Sequence, residues 1–323
     1  MKNPASTITL MLKGAAMGIA EVIPGVSGGT IAFITGIYEK LLNTIKAFNP
    51  SLIGTFKQQG MGGVWRAVNG EFLMFLLIGM ATGVVLGVFG VSHLLETYPE
   101  ILWAFFFGLI ISSAIFIGKQ VAPWSPREVV ALLVGTAVAY WITVAVPAQG
   151  NEALWFVFLS GAIAISALIL PGISGSFILL LMGMYSLIIP TVKTALKTFD
   201  TGSLVLVGTF ALGCMTGLLT FSRVLSWTFK NHKNITLALL TGFMLGSLNK
   251  LWPWRNVLST RINSKGVEVP FLTESVLPGQ YEGEPYLLGV LVCAAIGFAS
   301  VFVLEKIGSE SVEEPAETTK RIA

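Results

Sequence analysis

The chain has 323 residues, 54% of them apolar and only 11% charged, with a formal net charge of +3 and a mean hydropathy of +0.79. A soluble domain carries about a quarter charged residues, so a soluble globular fold is excluded. The 35 glycines show no period of three and there are two cysteines, which excludes collagen and a disulfide scaffold. The small basic excess bears on where loops sit beside a membrane, and no nucleic-acid partner is expected.

A transmembrane helix needs about 20 mostly apolar residues. In chain order, residues 8–38 come first, an apolar region cut by Pro24-Gly25-Val26-Ser27-Gly28-Gly29. Proline and glycine there break the helix, and the flanking pieces are short for a full crossing, so the region reads as a re-entrant hairpin. Residues 39–71 are mixed in character, with room for a short surface helix. Spans are expected at 72–95, 101–118 and 129–146. A second apolar region, 154–189, is cut by Pro171-Gly172-Ile173-Ser174-Gly175-Ser176 and reads as a second re-entrant hairpin. Further spans are expected at 204–225, 235–251 and 286–304, with 252–285 a long polar loop and 305–323 a flexible, acidic polar tail. No segment alternates as a membrane β-strand does, so the fold class is an all-α integral membrane protein. Residues 1–18 are not read as a cleavable signal, because Lys13 interrupts the apolar run and the hairpin follows directly.

If each hairpin returns to its own side, the spans sort the basic residues onto two faces. One face holds only Lys193, Lys197, Lys250, Arg255, Arg261 and Lys265; the other 14 of the 20 lie opposite. The richer face is expected to be cytoplasmic, with both termini inside and the 252–285 loop outside.

Internal self-similarity supports a finer architecture. Shifting the chain by 147 residues lays 14–38 on 161–185 with ten identities in 25 positions, among them Pro24/Pro171, Gly25/Gly172, Ser27/Ser174, Gly28/Gly175 and Tyr38/Tyr185. Beyond the hairpins, Gly83/Gly213, Gly87/Gly217 and Ser92/Ser222 match at an offset of 130, and Ala104/Ala238, Gly108/Gly242 and Ser113/Ser247 at 134. Each half reads as one broken hairpin plus three spans: residues 1–150 and 151–304. Three crossings is an odd number, so the repeats are inverted, as in secondary transporters whose substrate site lies where broken helices meet. The alternative is that the two motifs only kink buried helices.

A helix starting inside the membrane leaves its first N–H groups unpaired and its positive dipole end exposed. Gly25, Gly28, Gly29, Gly172 and Gly175 allow close backbone approach, while Ser27, Thr30, Ser174 and Ser176 add hydroxyl donors. Pro24 and Pro171 set the breaks. That chemistry suits an anion such as a phosphate. Glu21, three residues before Pro24, is an ionisable group in an apolar run, and its repeat partner is Leu168. Such a group marks a candidate for carrying a coupling proton; the structural alternative is a carboxylate capping broken backbone. Arg223 near the end of 204–225 could face a phosphate or snorkel to the surface, and Lys13 is weighed the same way.

Other features read as structure. Gly79, Gly83 and Gly87 recur every four residues, which favours close helix packing. Trp103, Trp124, Trp141, Trp155, Trp227, Trp252 and Trp254 lie near span ends, as interfacial aromatics do. Cys214 and Cys293 read as small apolar residues. His93 and His232 lack partners at metal-ligand spacing, so no metal is expected. No Walker motif is present and no cofactor is expected.

The runs Gly14-Ala15-Ala16-Met17-Gly18-Ile19-Ala20-Glu21-Val22-Ile23-Pro24-Gly25-Val26-Ser27-Gly28-Gly29-Thr30 and Leu170-Pro171-Gly172-Ile173-Ser174-Gly175-Ser176 resemble the bacterial polyprenyl-phosphate transporter family (PopT-like). The resemblance extends to about residue 305. It implies a flippase that moves undecaprenyl phosphate, the lipid carrier of cell-wall synthesis, across the bacterial cytoplasmic membrane, with an anionic polyprenyl lipid as partner; Glu21 separately makes proton or sodium coupling an expectation. A shorter similarity is to undecaprenyl-pyrophosphate phosphatases, which carry Pro-Gly-x-Ser-Arg-Ser. Here Gly28 and Gly175 replace the arginine, which weakens the case for stabilising phosphoryl-transfer charge and favours a carrier over an enzyme. The alternatives are that phosphatase activity or ion-coupled transport of small anions.

Overall fold

A computed structural model describes residues 4–23, 26–262 and 268–309. The first half contains α1 (Pro4–Val22), α2 (Gly28–Ile34), α3 (Tyr38–Lys46), α4 (Ser51–Ala67), α5 (Gly70–Leu86), α6 (Ser92–Thr97), α7 (Pro99–Gly118) and α8 (Pro126–Val144); a π-helical turn, Gly87–Val91, joins α5 to α6. The second contains α9 (Leu154–Ile169), α10 (Gly175–Leu181), α11 (Tyr185–Thr198), α12 (Thr201–Asn231), α13 (Lys233–Ser247), strands β1 (Arg255–Ile262) and β2 (Glu268–Ser275), and α14 (Leu287–Ser309).

Among the described residues, five helical stretches are long and apolar enough to cross a membrane: 70–95, 99–118, 126–144, 201–231 and 287–305. They cover five of the six expected spans. The sixth, 235–251, is shorter than expected. Its helix α13 has 15 residues and ends at Ser247, a rise of about 22 Å against a hydrocarbon core of about 30 Å. Helices α10 and α11 are bent from one another by 111°, the geometry of a broken span or a re-entrant segment. Gly183, at φ +70°, makes that bend, as Gly36, at φ +72°, does between α2 and α3.

Two expectations about loops need correction. Residues 39–71 hold two helices, α3 and α4, where one short surface helix was expected. The 252–285 loop carries an antiparallel hairpin, β1 pairing with β2, an addition to a fold that is otherwise helical, as an all-α membrane protein requires. The hairpin is tied down by polar bonds. Arg255 donates from Nε to Thr273 Oγ1 at 2.9 Å and from Nη1 to the Asn249 carbonyl at 2.6 Å. Trp252 and Trp254, expected as interfacial aromatics, donate their indole N–H groups to the Val276 and Pro285 carbonyls. Trp254 is buried. Trp141, Trp155 and Trp227 are exposed.

The helices pack in four main pairs, α1 with α5, α9 with α12, α7 with α14, and α8 with α13. Glycines let backbones meet at these seams. Gly79 and Gly83 of α5 lie against the carbonyls of Met11 and Ala15, while Gly213 and Gly217 of α12 lie against those of Phe158 and Ala162. The matching neighbours are 147 residues apart and the glycines 134 apart. Gly79 and Gly213 therefore sit alike in their seams, as do Gly83 and Gly217. The expected pairing of Gly83 with Gly213 is displaced by one helical turn, because glycines four residues apart align equally well in either register. The other two seams match as well. Gly108 meets Ala294 and Gly242 meets Leu132, while Gly135 meets Leu239 and Gly297 meets Phe105.

The main core gathers around α2, all of whose residues are buried. Phe33, Tyr38 and Phe229 form an aromatic cluster beside it, with ring centroids 5.0 to 6.2 Å apart.

Candidate functional site

The two helix breaks meet inside this core. Ser27 is the N-cap of α2, in extended conformation, and its hydroxyl accepts the Gly29 N–H at 3.1 Å. Its single hydroxyl proton is shared between the carbonyls of Leu168 at 3.2 Å and Leu170 at 3.1 Å. Tyr38 donates to the Ile169 carbonyl at 3.1 Å. These are the carbonyls that the end of α9 leaves without helical partners. In return, the Gly172 N–H donates to Thr30 Oγ1 at 3.1 Å. Ser27, Thr30 and Tyr38 are all at most 2% exposed, so these bonds form in a setting where an unmade one would be costly. Gly29 packs so tightly on the Ile169 carbonyl that an added Cβ would lie 2.5 Å from its oxygen.

The breaks differ in how their short helices begin. At the first, Glu21 Oε1 accepts the Gly28 N–H at 2.8 Å, so a carboxylate sits on the positive end of α2. This is the capping arrangement weighed as the structural alternative for Glu21. At the second, Leu168 occupies the matching position and Ser174 makes no capping bond to α10. The Ser174 hydroxyl instead pairs with that of Ser176 at 2.9 Å. Ser174 is buried and Ser176 exposed, while Pro171, Gly172 and Gly175 are buried. The first break is thus self-satisfied, whereas the second presents a hydroxyl pair beside an uncapped helix start.

Pro24 and Gly25 lie outside the described residues. Ser27, Gly28, Gly29, Thr30, Pro171, Gly172, Ser174, Gly175 and Ser176 are gathered at the paired breaks, with Glu21 on their edge. Arg223 is elsewhere. It donates to the Leu219 carbonyl at 2.8 Å and the Phe48 carbonyl at 3.1 Å, and lines a groove between α12 and the α3–α4 turn. Lys13 is buried and donates to the Thr35 carbonyl at 3.0 Å, placing a cation at the negative end of α2. Sequence reasoning missed Tyr38 as a bridging residue, although its repeat match with Tyr185 was the available signal.

Long apolar helices wrapped around a buried polar centre, built where two broken helices interlock, define a helical membrane protein. The chain belongs to the VCA0040-like, undecaprenyl phosphate translocase-like family, whose model matches residues 17–269. A polyprenyl-phosphate transporter of Vibrio cholerae serotype O1 is 47% identical over 305 residues, 93% of this chain and 96% of that protein. A polyprenyl-phosphate transporter of Staphylococcus aureus is 31% identical over 257 residues, 75% of this chain and 85% of that protein. No solved structure matches the chain.

Proposed function

We propose that this chain is a secondary transporter that carries undecaprenyl phosphate across the bacterial cytoplasmic membrane, recycling the lipid carrier rather than acting on it chemically. The observation that carries this reading is the meeting of the two Pro-Gly-x-Ser-Gly breaks, hydroxyl to backbone, at the centre of the fold. The names of the two relatives supply the substrate class. The phosphate is held at the breaks by Ser174, Ser176 and the glycine-flanked backbone, with the polyprenyl tail in the surrounding lipid. Ser27, Gly28, Gly29 and Thr30 shape the site from the first half by holding the two breaks together, Pro24 and Gly25 are assigned to it by the sequence motif alone, and Glu21 carries the coupling proton. Arg223, bonded away from the breaks, contacts the head group only on its way in.

The proposed architecture is an inverted repeat of residues 1–150 and 151–304, followed by the tail 305–323. The recurrence of the four helix seams at matched glycines supports it. The proposed orientation puts both termini in the cytoplasm. Contacts link residues assigned to the same face. On the cytoplasmic side Lys233 lies 3.9 Å from Glu39 and Asn234 donates to the Ala122 carbonyl. On the outer side Asn249 donates to Thr143.

The test uses purified protein in liposomes with labelled undecaprenyl phosphate and, separately, undecaprenyl pyrophosphate. Protein-dependent exchange of the monophosphate between leaflets is expected. Release of phosphate from the pyrophosphate would instead establish the phosphatase, and unchanged lipid sidedness would end the carrier reading.

A further inference from the structure

A cavity of about 480 Å³ lies between the β-hairpin and the ends of α8 and α10. Two cations, Lys250 and Arg255, line it, together with one carboxylate, Glu274. The two cations are held very differently. Four of the five N–H groups of Arg255 are engaged, since Thr273 Oγ1, the Thr273 and Asn249 carbonyls and Ser275 Oγ accept from it. Lys250 has no hydrogen bond or ion pair among the described residues. Its Nζ lies 4.5 Å from the centre of the Phe177 ring, a contact that leaves the ammonium donors unspent. A half-buried lysine beside a fixed arginine is electrostatically unsatisfied and draws an anion.

The position of Lys250 links the cavity to the second break. Lys250, Phe177 and Thr143 line both the cavity and a narrow recess whose walls include Gly172, Ser174 and Ser247. An anion on Lys250 therefore lies at the mouth of the recess that holds Ser174. The remaining cavity wall is largely apolar, with Tyr140, Val144, Leu180, Leu181, Leu258 and Phe271. A basic group at one end and an apolar wall alongside fit a phosphomonoester attached to a hydrocarbon chain.

We infer that this cavity is a phosphomonoester-binding vestibule on the β-hairpin side, in which Lys250 pairs with the phosphate before it passes to Ser174 and Ser176. This rests on the carrier reading and adds to it a charge-pairing residue and an access route. Arg255 is a positioning residue: it fixes the hairpin as the roof and keeps a second positive charge beside Lys250.

The experiment measures amine labelling of Lys250 in the full chain in phosphatidylcholine nanodiscs, read by mass spectrometry, with undecaprenyl phosphate, undecaprenol or inorganic phosphate added. Undecaprenyl phosphate is expected to slow labelling severalfold and undecaprenol to leave it unchanged. In parallel, Lys250→Met is expected to weaken undecaprenyl phosphate binding at least about tenfold and Lys250→Arg by less than about threefold, as a charge-assisted bond requires. If labelling is unchanged while the lipid binds, or if folded Lys250→Met binds as wild type does, the vestibule is refuted and the carrier reading stands. Protection by inorganic phosphate with no lipid binding would support the phosphate site and overturn the lipid carrier. Absence of binding by either would overturn both. Should Lys250→Met fail to fold, labelling of the wild-type chain decides alone.

Discussion

Glu21 and Leu168 occupy matching places before the two breaks, and that one difference sets the chemistry of each. Glu21 caps α2 through the Gly28 N–H, so its role in stability and its proposed role in coupling can be separated by substitution. Glu21→Gln retains an oxygen acceptor for Gly28 and is expected to unfold within about 1 kcal/mol of wild type. It removes the titrating carboxyl, so the part of the pH dependence of transport that belongs to Glu21 should disappear, leaving only that of the lipid phosphate. Glu21→Leu copies the second half and removes the cap, and is expected to cost about 1–2 kcal/mol in addition. Thermal unfolding in detergent and liposome transport across a pH series distinguish the two. If Glu21→Gln transports with the wild-type pH profile, Glu21 is a cap and nothing more. Gly29→Ala brings a methyl onto the Ile169 carbonyl, a backbone atom that cannot swing aside. A loss of about 1–3 kcal/mol is expected, seen as reduced monodisperse protein by size exclusion. At this scale Glu21 was legible in the sequence, because a carboxylate in an apolar run is conspicuous. The partners of Ser27 and Tyr38 were not, because they are backbone carbonyls more than 130 residues away, and backbone carries no residue identity. Lys250 looked like any basic residue closing a span.

The helices themselves were largely legible, since runs of apolar residues announce spans by composition alone. What escaped was the end of α13 and the β-hairpin. The stretch after Ser247, Leu248-Asn249-Lys250-Leu251, is turn rather than helix, and its two leucines carried the expected span past the end of the helix. The hairpin depends on Arg255 and two tryptophans reaching carbonyls across the loop, which local propensity does not reveal. The seam glycines give an element-level test. Gly108 and Gly242 face backbone on α14 and α8 respectively, in seams related by the proposed repeat. Gly108→Leu and Gly242→Leu should therefore destabilise by similar amounts, about 1–3 kcal/mol or more each. A large loss from one and none from the other, measured by thermal unfolding, would argue against equivalent seams.

For the whole molecule, the inverted arrangement predicts opposite sidedness for α4 and the β-hairpin. In a chain carrying Cys214→Ser and Cys293→Ser, a cysteine replacing Lys57 should react with an impermeant maleimide only from the cytoplasmic side, and one replacing Leu258 only from the outside. Leu258 is 63% exposed, so access is not limiting. Labelling of both from one side would dismantle the proposed topology.

The bridge between the breaks also has a direction. Ser27, Thr30 and Tyr38 supply its side chains, and residues 168–172 supply only backbone. In the proposed inverted repeat, opening to the other side exchanges the conformations of the halves. The exchanged bridge would be made by Ser174 and Tyr185 reaching the carbonyls of residues 21–23. Thr30, however, maps onto Phe177, which has no hydroxyl. The two facing states are then unequal by about one hydrogen bond, on the order of 1 kcal/mol, or roughly fivefold in resting population. Tyr38→Phe should tip the balance toward the exchanged state, Tyr185→Phe toward the present one, and Thr30→Val should bring the two near parity. Distances between spin labels on the two faces would read these shifts as a see-saw with opposite signs for the two tyrosines. The protein would thus rest facing one side by default, its bias written in a single threonine.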